Sequence, residues 1–180
     1  MTLVVVGIDP GATGAISILV DGNLVAVEDM PTDQVQVGAH LRSRISAHRL
    51  WAFLASAKGA HVFVERPEAR PMRSRDKATG QTVLRQPGAA GMLAFGEGYG
   101  MLVMGCVAAG MVLTELRPGA WKKAAGLGAS KDDARRRSAD LFPQQAHLFA
   151  RVKDHNRAEA VLLAVYGARW LKEGAHDDAG

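Results

Sequence analysis

Apolar, mostly β-branched residues fill the chain from Leu3 to Ile8, interrupted only by Gly7, and the run stops at an acid, Asp9. Residues 2–9 therefore predict a buried strand. Residues 14–20 and 23–29 predict a second and a third, with Asp21-Gly22 between them as a two-residue hairpin signal. Residues 31–37 are polar and predict a loop. Leu41, Ile45, Leu50, Trp51 and Leu54 recur roughly at helical spacing, which predicts a helix over 39–57 with Gly59 as its terminator. The stretch HVFVE at 61–65 predicts a short strand that ends in an acid, as the first one does.

Residues 66–88 carry no apolar periodicity and three prolines, and predict a long mobile loop. A glycine-punctuated helix is expected over 89–108, then a strand over 111–116, MVLTEL. Pro118 can start a short helix through Trp121. Ser130 is a suitable N-cap, with Asp132 and Asp133 in the first turn and Arg135, Arg136 and Arg137 beyond it. A last helix is expected over 155–172, with Ala158, Val161, Leu162, Val165, Ala168 and Trp170 as its apolar surface. Without repeats or a linker, 1–173 reads as a single α/β domain, with 174–180 as a flexible tail.

Composition narrows the class. At 180 residues, 48% hydrophobic and 22% charged, the chain is the size and character of one globular domain. A single cysteine, Cys106, excludes a disulfide framework and a cysteine-based zinc site, and its apolar surroundings predict a buried small hydrophobe. The N-terminus lacks a basic region and its apolar run is broken, so it is not read as a signal peptide. The most apolar stretch, 99–114, is short and glycine-broken against the roughly 18 residues a membrane span needs, so a soluble, cytoplasmic protein is expected. The net charge of +4 hints at a polyanionic partner without specifying one.

Three acids stand where an acid is locally awkward. Asp9 ends the first strand, Glu65 ends the strand HVFVE, and Glu159 lies between alanines ahead of VLLAV in the last helix. Function in α/β sheets gathers at the carboxyl ends of strands, where Asp9 and Glu65 can converge and a crossing helix can deliver Glu159. Singly, each has a bland reading: a turn former, a strand-edge charge, a solvent-facing helix residue. Together they read as carboxylates that need cations between them, and hard oxygen donors suit Mg²⁺ or Mn²⁺. Two such ions about 3.5–4 Å apart can activate a water and stabilise the leaving oxygen of a phosphodiester. A fourth group is open between Asp154, favoured by residue type as a ligand, and His155, favoured by its i,i+4 spacing to Glu159. Asp154 can equally cap the last helix.

The blocks GIDPGATGA (7–15), VFVERP (62–67), RPGAWKKAAGL (117–127) and KDHNRAEAVLLAVYG (153–167) resemble RuvC-type Holliday junction resolvases, nearest their phage-type relatives. The resemblance covers nearly the whole chain and implies an RNase H-like fold, a five-stranded mixed β-sheet flanked by α-helices. It implies a homodimer that resolves four-way DNA junctions by paired symmetric nicks, with Mg²⁺ as cofactor, two ions per site, and Mn²⁺ able to substitute. It assigns catalytic roles to Asp9, Glu65 and Glu159, with Asp154 and His155 at the fourth position. Asp9, Glu65, Asp154 and Glu159 are then the expected metal ligands. The chain departs from the pattern at this fourth position: phage-type members tend to pair two acids where Asp154-His155 stands, and bacterial ones place an acid or histidine where Asn156 stands.

Basic residues cluster by region. Arg66, Arg70, Arg73, Arg75, Lys77 and Arg85 fall within 66–88, and Arg117, Lys122, Lys123 and Lys131 within 117–137. Such residues neutralise phosphates, and Arg66, Arg70, Arg73, Arg75, Lys77, Arg117, Lys122, Lys123 and Lys131 are the expected DNA contacts, Lys122 and Lys123 foremost. Their bland reading is a solvated face. Phe95 and Tyr99, four residues apart, read as dimer or core residues or as a base-stacking pair. One rival function is an actin-like or sugar-kinase phosphotransferase, suggested by Asp9-x-Gly11-x-Thr13, but no second such loop follows. The other is a junction-binding protein with little or no catalysis on the same fold, which a metal-dependent cleavage assay separates.

Overall fold

In the computed structural model of the protein, residues 2–68, 72–76, 79–85, 88–128 and 130–174 are described. Three strands, β1 (Val4–Asp9), β2 (Ala15–Val20) and β3 (Asn23–Asp29), form an antiparallel meander. Asp21 turns the first connection with a positive φ of 50°, as the Asp-Gly signal predicts. The chain returns to the sheet as β6 (His61–Glu65) and β9 (Val112–Leu116), both parallel to β1, giving a mixed five-stranded sheet in the order β3-β2-β1-β6-β9.

Helices cover both faces. On one side α1 (Ala47–Ser56) and α2 (Ala89–Ala108) bury Leu50, Leu54, Leu102 and Cys106 against Val6, Ile8, Val62 and Val64. On the other, α3 (Pro118–Ala124), α4 (Lys131–Leu141) and α5 (His155–Lys172) pack Trp121, Ala134 and Leu163 against Val5 and Phe63. Even positions of β1 and β6 thus face α1 and α2, and odd positions face α5 on β1 and β6 alike, with period-two alternation on a sheet buried on both faces. Between α4 and α5 the chain winds through two 3₁₀ segments, Pro143–Phe149 and Val152–Asp154.

Two segments depart from the sequence expectation. The loop expected at 31–37 is a strand, β4 (Thr32–Val37), paired antiparallel with β5 (His40–Ile45), and the helix expected from 39 begins only at Ala47. Leu41, which mimicked helical spacing, is 65% exposed, whereas Ile45 reaches the core from the strand. The expected long loop 66–88 contains a second hairpin, β7 (Met72–Arg75) with β8 (Thr82–Arg85). Its turn is closed by Asp76, whose carboxylate accepts from the backbone N–H and hydroxyl of Thr79. The first hairpin buries few apolar residues, so periodicity had little to register there.

Candidate active site

The acids converge because of one strand residue without a side chain. A Cβ on Gly7 would lie 2.0 Å from the Ala160 carbonyl oxygen and 2.5 Å from the Ala164 nitrogen, so α5 lies directly on the β1 backbone. The Ser17 hydroxyl donates to the same Ala160 carbonyl at 2.9 Å, locking α5 across β1 and β2. Asp9 follows Gly7 by two and shares its face. On the neighbouring strand Phe63 packs against Gly167 of α5, and Glu65 follows Phe63 by two. Ile8 pairs with Val64, so Asp9 and Glu65 end adjacent parallel strands on the side that α5 covers. Glu159, next to Ala160, completes the approach.

Glu65 and Glu159 meet across a cation. The Lys122 Nζ lies 2.8 Å from Glu159 Oε2 and 3.4 Å from Glu65 Oε2. The fully buried Trp121 donates its indole N–H to Glu65 Oε2 at 3.0 Å, and the Lys122 ammonium sits 5.1 Å from the Trp121 ring centroid. Pro118 at the start of α3 sets this short helix so that consecutive residues, Trp121 and Lys122, both reach the carboxylates. Burial raises the Glu65 carboxyl above its ordinary range; Lys122 opposes the shift, Glu159 adds to it, and Trp121 opposes it. Burial disfavours the Lys122 charge, yet the hydrogen bond and charge of Glu159, reinforced by Glu65, hold its pKa above the usual value.

The turn after Asp9 is tightly wrapped. A Cβ on Gly14 would fall 2.0 Å from the Asp9 carbonyl oxygen, and the Gly14 N–H donates to Gly11 at 3.0 Å. Asn156 of α5 donates its side-chain amide to the Thr13 carbonyl, tying the start of the helix to this turn. Phe95 of α2 packs on Gly11 from the opposite side and stacks on Tyr99, whose hydroxyl donates to Glu115.

The fold is similar to that of solved structures of Thermus thermophilus RuvC. One, of RuvC in complex with Holliday junction substrate, superposes with a TM-score of 0.58 and 17% identity, over 96% of this chain and 96% of that one. A second RuvC structure from the same organism gives 0.50 and 18%, over 96% and 97%. The chain has the RuvC fold. No protein-family model matches the sequence, and no curated protein matches it.

Within the RuvC fold, the expected site residues separate. Asp9, Glu65 and Glu159 are drawn to one edge of the sheet, although among the described residues no three His, Cys, Asp or Glu side chains are gathered into a ready metal-holding group. Asp154, expected as a metal ligand, is otherwise engaged. It is 1% exposed; Oδ2 accepts from the Arg151 backbone N–H at 2.8 Å, and Oδ1 accepts from the Arg151 guanidinium at 2.8 Å. The hydrogen bonds from the Arg151 side chain outweigh burial and hold its carboxyl below the ordinary range. Nor does its side chain cap α5, as the alternative expectation had it: Asp154 stands at the N-cap of α5 without a side-chain cap hydrogen bond, and its carboxylate is instead spent on Arg151 in a capping box on the preceding 3₁₀ segment. His155 opens α5, with Nδ1 3.1 Å from the Val152 carbonyl oxygen.

Of the expected DNA contacts, Arg66, Arg117 and Lys123 are exposed and flank the acids at the ends of β6 and β9 and on α3, while Lys122 turns to the glutamates. Arg73 and Arg75 lie on β7, and Lys131 opens α4; Arg70 and Lys77 fall outside the described residues. Arg135 is structural: its guanidinium donates to the Phe149 and Ala150 carbonyls and to Asp132. Sequence reading missed the roles of Trp121 and Asn156. For Trp121 the only signal was its place beside two lysines after a proline; for Asn156, which binds across 143 residues of sequence, there was none.

Proposed function

We propose that this protein is a metal-dependent endonuclease that cuts branched DNA, four-way junctions above all, by hydrolysing phosphodiesters. The observation that carries the reading is the meeting of Glu65 and Glu159, from β6 and α5, around a positive charge, beside the end of the adjacent strand β1 that bears Asp9. A carboxylate pair that already holds an ammonium has the oxygen donors and the negative excess that fit Mg²⁺ or Mn²⁺. Asp9, Glu65 and Glu159 would hold the metal, two ions per site, and the bound metal would supply charge to activate water and to stabilise the leaving oxygen. Trp121 orients Glu65, and the Gly7 contact with α5 sets Glu159. His155, one turn before Glu159, is the remaining candidate for a proton acceptor. Arg66, Arg117 and Lys123, with the basic hairpin β7–β8, would carry the phosphate backbone, so affinity falls as salt rises.

The reading also takes a second copy of the chain, as paired symmetric nicks require. α2 supports this. Its buried stripe, Gly98, Leu102 and Cys106, packs on the sheet, while Leu93, Met104 and Val107 on its other sides are 54–64% exposed. By length and composition alone α2 is apolar enough to cross a membrane, yet it is anchored through Glu97, which pairs with Arg44 of β5. Light scattering of the purified chain is expected to give a dimer, and Met104→Glu a monomer; a monomeric wild type refutes this arrangement.

The test of the activity is incubation of a synthetic four-way junction, beside duplex and forked DNA, with Mg²⁺, Mn²⁺ or EDTA. Paired symmetric nicks that require metal are expected. Asp9→Asn is expected to lose at least roughly a hundredfold in rate with junction binding retained. One observation favours a second reading, a junction-binding protein that does not cut: Lys122 already neutralises part of the site. Tight binding without cutting under either metal would establish it.

A further inference from the structure

Lys122 stands between the two glutamates in a way that an ordinary ion pair does not require. One ammonium faces two carboxylates, so the cluster keeps an excess negative charge at its centre. The glutamate side chains are 20% and 18% exposed and the lysine 32%, so the cation is the more accessible member. It is a compact charge on a flexible stem, and it lies over the Trp121 ring while it faces both glutamates. Arg151–Asp154 is built the other way. There one base meets one acid, the fixed fork of the arginine takes both carboxylate oxygens, and nothing is left to satisfy.

We propose that Lys122 is a displaceable counter-ion, which holds Glu65 and Glu159 together in the metal-free chain and is exchanged for a divalent cation when the site loads. The proposal rests on the metal-dependent reading above and adds to it that the chain sets its own threshold for metal. Without a cation the two half-buried carboxylates repel. Lys122 removes that repulsion at rest, and every ion that binds must first evict it. Metal affinity is therefore held below what the carboxylates alone would give, and the metal-free fold is held above the stability it would otherwise have.

The test uses the full chain, with Mn²⁺ as the probe, followed by calorimetry and thermal unfolding. Lys122→Met is expected to unfold at lower temperature than wild type in EDTA, to regain that loss in Mn²⁺, and to bind Mn²⁺ roughly tenfold more tightly, the scale of one hydrogen bond to a charged group. A second measurement needs no variant. In wild type, reductive methylation of Lys122, read by peptide mass spectrometry against the exposed Lys123, is expected to be slow in EDTA and faster in saturating Mn²⁺. If wild type binds Mn²⁺ while Lys122→Met binds it no tighter, or while Lys122 reactivity stays constant, the exchange is refuted and the proposed function stands. If neither protein binds Mn²⁺, the metal-dependent function falls, and the exchange with it.

Discussion

Two acid–base clusters in this chain differ in how they are closed. Arg151 and Asp154 are three residues apart, one base to one acid, and complete each other within a single turn. Glu65, Lys122 and Glu159 come from a strand, a short helix and a long helix, two acids to one base, and remain charged. The first arrangement is closed on itself; the second is held together by its base yet keeps one negative charge beyond it, which a cation can meet. A buried carboxylate is thus not by itself a candidate ligand. What distinguishes a site is charge left over after its protein partners are counted.

The largest way to break the comparison is Gly7→Ala. Its methyl would meet the α5 backbone, and overpacking of this kind costs about 1–3 kcal/mol or more. It should lower the melting temperature and abolish Mn²⁺ binding, because Glu159 no longer reaches Glu65, and an unchanged melting temperature would show that α5 does not rest on β1.

Asp154→Asn should cost about 1–3 kcal/mol in denaturant unfolding while leaving Mn²⁺ affinity at the wild-type value, since it breaks only the closed cluster. Its pH dependence has a defined sign. The native carboxyl lies below its ordinary pKa, so the unfolded chain binds more protons there. The stabilisation is whole above the unfolded value of about 3.9 and is lost as pH falls through the lower native one. The gap between wild type and Asp154→Asn should therefore be constant near neutrality and close in acid. Loss of Mn²⁺ binding in this variant would return Asp154 to the metal ligands.

The smallest effect sharpens the open cluster. Trp121→Phe keeps the buried ring and removes the hydrogen bond to Glu65, at a cost of about 1 kcal/mol. Because that bond opposes the upward shift of Glu65, the carboxyl should titrate at higher pH still in the variant, followed by carbon-13 NMR. A downward movement would mean that the indole does not stabilise the ionised form.

Local physics made much of this protein readable from its residues. The five strands of the main sheet, helices α2 to α5, the Asp21-Gly22 turn and the Ser130 cap each rest on interactions within a few residues or on a buried periodic face, and those leave a mark in sequence. The hairpin β4–β5 left none, because its strands are largely exposed, and in β7–β8 the apolar alternation is broken by charge. Asp9, Glu65 and Glu159 stood out for the same local reason, as acids among apolar neighbours. Which partner each acid takes was decided by tertiary structure alone. Asp154 was lost to Arg151 by a turn geometry that residue type does not reveal, and Lys122 was won for Glu65 and Glu159 only when α3 and α5 packed on the sheet. Sequence encodes where a charge is costly; the folded packing determines what neutralises it, because Coulomb attraction depends on distances that the chain acquires only when its elements meet.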